Sequence, residues 1–122
     1  MPFTENSKPI YLQIVDRICD QISQGCLLPG QRMPSVREYA SQLQVNVNTV
    51  MRAYDKLATE GIIANRRGIG FFLEQDAPTS AAAYQARTFF SDEITYFFSR
   101  LAAIGLSPDE LAEKYASYLN SI

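Results

Sequence analysis

A chain of 122 residues, 47% hydrophobic and 20% charged, has room for one compact domain with an appendage but little for a separate ligand-binding domain. It contains no histidine, so the commonest general base and the commonest metal ligand are missing, and two cysteines do not complete a tetrahedral site; we expect no catalytic residue, no metal and no cofactor. The net charge of −2 argues against a nucleic-acid binder only if it is evenly spread, yet residues 30 to 70 carry six Lys and Arg against three Asp and Glu, and residues 77 to 122 carry three against five.

The opening MPFTENSK lacks the layout of a secretion signal and the apolar runs are short, so neither export nor a membrane span is expected and a cytoplasmic location follows. In "IYLQIVDRICDQISQ", Ile10, Ile14, Ile18 and Ile22 recur at spacing four between Pro9 and Gly25, which predicts a first helix over 10–24. Cys19 and Cys26 lie on or beside it at a helical separation of about 10 Å, too far for a disulfide, and are read as thiols.

Pro29-Gly30 then turns the chain. Ser35 and Glu38 have the spacing of a capping box and open a short second helix, "VREYASQL", with Val36, Tyr39, Ala40 and Leu43 facing inward. A very short connector, Gln44-Val45, leads to Asn46, which can cap a third helix on which Val50, Ala53, Tyr54 and Leu57 form an apolar stripe, with Gly61 ending it. Two short helices joined by a tight turn read as a helix-turn-helix. "IIAN" and "GFFLE" around "RRGI" predict a β-hairpin that must pack on the helices beside it.

"QDAPTSAA" reads as a boundary, giving a first domain over 1–76 and a helical region over 77–122. Tyr84, Phe90, Ile94, Phe97 or Phe98, Leu101 and Ile104 recur at helical spacing and predict one helix from about 79 to 104, stopped by Gly105. Ser107-Pro108-Asp109-Glu110 supplies a cap, a first-turn proline and a capping-box glutamate for a last helix ending near Leu119. These aromatic-rich helices carry more apolar surface than one copy can hide, which implies a homodimer.

The third helix carries the functional argument. With its stripe spent on packing, Asn48, Arg52, Asp55 and Thr59 must face outward, and a helix of this width fits the DNA major groove, where Asn and Arg match base-edge donors and acceptors. Asn48 and Arg52 are the expected base readers, Thr49 with the helix N-terminus a phosphate holder, and Val47 or Met51 an apolar contact to a thymine methyl. Arg37 on the exposed side of the second helix, and Arg32 in the turn before it, are placed to reach a backbone phosphate or a guanine edge. Arg66, Arg67, Gly68 and Gly70 in the hairpin turn suit the narrow minor groove.

The stretch "LPGQRMPSVREYASQLQVNVNTVMRAYDKLATEGIIANRRGIGFFL" resembles the winged helix-turn-helix of GntR-type bacterial transcription regulators, and "VNVNTVMRAYDKLATEGII…RRGIGFF" the short YtrA-like branch. "GLSPDEL" and the helix before it are similar to that branch's C-terminal dimerisation unit. The resemblance implies a mainly α fold with a small β-hairpin, a winged helix-turn-helix followed by a two-helix dimerisation unit. It also implies a homodimeric repressor on a palindromic operator, third helix in the major groove and wing toward the minor groove. Carried over by residue, it supports Arg37, Asn48, Thr49, Arg52, Arg67 and Gly68. Together with Arg32, Ser35, Asn46, Val47 and Arg66, these make up the expected DNA-binding set. Such relatives usually have glycine where Gln44 stands, and arginines in place of Val47 and Met51.

The expected partner is therefore double-stranded DNA, with no membrane. A small-molecule effector of unknown kind has room among Tyr84, Phe90, Phe97 and Tyr115. The competing reading is a winged-helix protein-protein interaction module without DNA binding, which the net charge of −2 keeps open.

Overall fold

The computed structural model describes residues 8–122; the MPFTENS reading falls outside the described residues. The elements run α1 (Ile10–Ser23), α2 (Val36–Leu43), α3 (Val47–Thr59), β1 (Ile63–Arg66), β2 (Gly70–Leu73), α4 (Ala77–Thr88), a π-helical turn (Phe89–Glu93), α5 (Ile94–Ile104) and α6 (Pro108–Ser121). The chain divides into two compact units, one ending at Gln85 and the other spanning Ala86–Ile122. Among the described residues no helix is long and apolar enough to cross a membrane.

In the first unit the expected stripes meet. Ile14, Val15, Ile18 and Cys19 of α1 pack with Val50, Ala53, Tyr54 and Leu57 of α3, all of them fully buried. Burial of this apolar surface is the main force holding three short helices that would be marginal alone. Both expected caps form on the helix-turn-helix. Ser35 Oγ accepts the Glu38 N–H at 3.1 Å and the Glu38 carboxylate accepts the Ser35 N–H at 3.2 Å, and Asn46 Oδ1 accepts the Asn48 N–H at 2.7 Å. Hydrogen bonds to the Glu38 carboxylate from Ser35, side chain first and backbone N–H second, hold that carboxyl below its usual range.

Between α2 and α3 the chain turns at Gln44, whose φ of 57° and ψ of 46° are left-handed and unique among the non-glycine described residues for positive φ. A side chain there costs about 1–2 kcal/mol. Gln44→Gly relieves that strain and adds about 0.5–1 kcal/mol of freedom to the unfolded chain. We therefore expect a net gain of about 0.5–1 kcal/mol in chemical denaturation. An unchanged or lower midpoint would show that the Gln44 side chain holds something the strain does not reveal.

The hairpin pairs Ile63 with Leu73, Ala64 with Phe72, Asn65 with Phe71 and Arg66 with Gly70. It has a third backbone partner, the segment from Gln31 to Met33 that follows the Pro29-Gly30 turn. Leu73 donates to the Gln31 carbonyl at 2.8 Å, Met33 donates to the Phe71 carbonyl at 2.8 Å, and Arg32 bridges Phe72. Thus β2 is paired on both edges, which a hairpin this short needs.

Three C-terminal expectations change. The "QDAPTSAA" segment is helical from Ala77 onward, because Pro78 sits in the first turn, where its missing N–H is not needed. The first compact unit runs past the 76/77 boundary to Gln85: Ala77, Ala81 and Tyr84 are buried in its core, and Gln85 Nε2 donates to Asp20 of α1 at 3.0 Å. The single helix over 79–104 is two α-helical pieces with a π turn between them, an accommodation of one extra residue that apolar periodicity does not register. Gly105 closes α5 in a left-handed conformation, and the Ser107–Glu110 capping box opens α6.

Candidate nucleic-acid interface

The core sorts α3 into two edges. Val50, Ala53, Tyr54 and Leu57 are 0% exposed, whereas Asn48, Arg52, Asp55 and Thr59 are all exposed. The buried edge is pinned by a polar contact as well: Tyr54 Oη donates to the Pro34 carbonyl at 2.8 Å, tying the middle of α3 to the residue just before the α2 cap. Its ring also meets Phe71 of the wing edge-on at 5.0 Å. One tyrosine thus sets the angle between the two helices and the hairpin.

Around the exposed edge the expected residues are placed as follows. Val47 and Met51 are 44% and 37% exposed, an apolar bulge flanking Asn48. Asn46 spends its side-chain oxygen on the cap, leaving its amide NH₂ as a donor, and Ser35 is engaged in its capping box with Glu38. Thr49 is half-buried and its N–H bonds the Asn46 carbonyl at 3.1 Å, so the α3 N-terminus offers fewer free N–H groups to an anion than the sequence suggested. Arg37 is exposed on α2.

The arginines fall into two kinds. Arg52 lies over the ring of Tyr11, 4.2 Å from its centre, and Arg66 lies over Phe72 at 4.4 Å. Arg32 rests on the open face of Gly70, where a Cβ would meet its Nε at 3.3 Å. Gly70 has a φ of 135°, so both its backbone and the arginine above it demand glycine. Arg67 and Gly68 stand exposed at the wing tip. Lys56 is drawn aside into a half-buried pair with Glu60 at 3.4 Å. Tyr11, Phe72 and Tyr54 escaped the sequence reading as site residues because each looks like core; an aromatic at the rim of an apolar stripe, beside an exposed arginine, was the available signal.

Among the described residues no group of His, Cys, Asp and Glu could hold a metal. Cys19 is buried, and burial, with Asp16 and Asp20 adding to it, pushes its thiol up to about 12, so it stays protonated.

In the second unit, among the described residues, α5 and α6 bury no side chain. Phe90, Tyr96, Phe98, Tyr115 and Tyr118 are each more than half exposed. A cleft of about 370 Å³ lies at the turn between α5 and α6, lined among others by Phe98, Leu101, Leu106 and Leu111. The lining expected from the sequence is replaced: Tyr84 belongs to the core of the first unit, and Phe90, Phe97 and Tyr115 do not line this cleft.

Comparison with known proteins agrees with this anatomy. Residues 10–73 match the family "Bacterial regulatory proteins, gntR family". The chain is 38% identical over 109 residues to the HTH-type transcriptional regulator YhcF of Bacillus subtilis, covering 89% of this chain and 88% of that protein. It is 41% identical over 75 residues to the HTH-type transcriptional repressor YtrA of the same organism, covering 62% and 58%. A crystal structure of a GntR-family regulator from Bacteroides thetaiotaomicron superposes with a TM-score of 0.76 at 41% identity, over 93% of this chain and 98% of that one, and so spans the C-terminal helices too. A helix-turn-helix with a wing, inside a matched region covering more than half of the sequence, settles the assignment: this chain belongs to the gntR family of bacterial regulatory proteins and is a DNA-binding transcription regulator.

Proposed function

We propose that the chain acts as a homodimeric repressor, setting α3 in the major groove and the wing against the minor groove at each half of a palindromic operator. The observation that carries this reading is the division of α3, with four fully buried residues on one edge and Asn48 and Arg52 exposed on the other. Asn48 and Arg52 read base edges, since amide and guanidinium groups match adenine and guanine in pairs of hydrogen bonds. Val47 meets a thymine methyl. Arg32, Ser35, Arg37, Asn46 and Thr49 fix the register on the phosphates, and Arg66, Arg67 and Gly68 follow the minor groove.

Repression is supported by the likeness to YtrA, itself named a repressor. Dimerisation is supported by the uncovered aromatic face of α5 and α6. Action on chromosomal DNA places the protein in the cytoplasm. The cleft between α5 and α6 is the candidate seat of a small-molecule effector.

The test is a titration against duplexes selected from genomic fragments. Arg52→Ala should weaken binding by about 1–3 kcal/mol and relax preference at one base position, while Arg67→Ala weakens all duplexes alike. For the unaltered protein log K should fall with log salt at about −0.9 per phosphate neutralised. A flat salt response, with both variants binding every duplex as the parent does, would favour a protein-binding winged helix instead.

A further inference from the structure

The DNA-reading set leaves Tyr11 without a role. Tyr11 is the second residue of α1, half-buried, and packed against the core cluster. Above its ring, 4.2 Å from the centre, sits the guanidinium carbon of the exposed Arg52. The core fixes the ring, so the ring fixes where the arginine can be.

Arginine is a long side chain with a planar fork, and it discriminates between base edges only when that fork is held in one orientation. An aromatic face is suited to this. It attracts the cation through the ring quadrupole and consumes none of the five N–H donors, whereas a carboxylate partner would occupy two and cancel the charge. Asp55, three residues on from Arg52 and exposed, is the carboxylate that could otherwise compete.

We infer that Tyr11 is a positioning residue for DNA recognition: its ring pre-sets the Arg52 fork and thereby sets base discrimination at the position Arg52 reads. This rests on the reading that α3 lies in the major groove. Tyr11 itself supplies specificity and contributes little to general affinity.

The experiment uses the full chain with Tyr11→Phe, Tyr11→Leu, Arg52→Ala and the Leu/Ala double variant. Each is titrated against the selected duplex, against the duplex changed at the base pair whose discrimination Arg52→Ala abolishes, and against unrelated DNA. Tyr11→Leu should lose about 2- to 10-fold of discrimination at that pair, with affinity for unrelated DNA kept within about 2-fold. Tyr11→Phe keeps the ring and should keep the discrimination. In the Arg52→Ala background Tyr11→Leu should change nothing further. Should Tyr11→Leu fail to fold, the free protein still decides: the Arg52 side-chain protons should be shifted upfield by the ring in the parent and in Tyr11→Phe, and resonances at ordinary positions would overturn the inference. So would a folded Tyr11→Leu that discriminates as the parent does. A parent without any sequence preference would remove both this inference and the reading beneath it.

Discussion

Ending the chain after Gln85 should give a folded monomer that binds a palindromic operator about 10²–10⁴-fold more weakly than the full chain. The cut follows from burial. Ala77, Ala81 and Tyr84 are 0%, 2% and 4% exposed and belong to the core of the first unit, so a cut at the expected boundary of 76 would open that core and confuse lost dimerisation with lost folding. After Gln85 the removed piece is the one whose α5 and α6 bury nothing among the described residues. Its aromatic residues Phe90, Tyr96, Phe98, Tyr115 and Tyr118 are each more than half exposed, and a second copy is the simplest cover. Two linked reading heads turn the second half-site encounter into an intramolecular one, which is where the lost affinity comes from. Sedimentation and operator titration of the shortened chain check this together. A shortened chain that still sediments as a dimer would move the interface into the winged half.

Tyr54→Ala should cost about 3–5 kcal/mol of stability, a large share of what a domain this size possesses. The ring is fully buried between α2, α3 and the wing, and its hydroxyl satisfies the Pro34 carbonyl, so truncation leaves a cavity and an unpaired acceptor at once. Tyr54→Phe separates the two contributions. It keeps the packing and removes the hydrogen bond, and should cost about 1 kcal/mol. Burial holds the Tyr54 hydroxyl well above the usual tyrosine range, so it remains the protonated donor across any working pH. Denaturant midpoints of both variants, measured without DNA, give the two numbers. A Tyr54→Ala protein as stable as its parent would mean that the α3 seam does not set the helix angle.

The helix-turn-helix was legible because its signals are local. Ser35 with Glu38, Asn46 before an apolar stripe, and Val50 to Leu57 at helical spacing each state their geometry within a single turn. What escaped notice depends on residues far apart in sequence. Arg32 pairs with Phe72 across forty positions, and no period in either segment announces it. Tyr11 and Arg52 come together only because α1 and α3 share a core. The π turn at Phe89–Glu93 slips one residue into a run whose aromatics keep an approximate helical spacing on either side, so the pattern reads as one helix. Gln44 is the opposite case. The sequence offers no glycine for the left-handed turn, and the chain adopts the turn regardless, because packing of α2 against α3 outweighs about 1–2 kcal/mol of backbone strain.

Which edge of α3 meets the duplex decides how the protein reads DNA. Resonance mapping of the full chain, titrated with a duplex selected from genomic fragments, addresses it residue by residue. The expected result is shifts concentrated on Asn48, Arg52, Arg37 and the Arg67–Gly68 tip, with the Val50, Ala53 and Leu57 resonances nearly still. Shifts confined to α5 and α6, with Asn48 and Arg52 unmoved by any duplex, would contradict it.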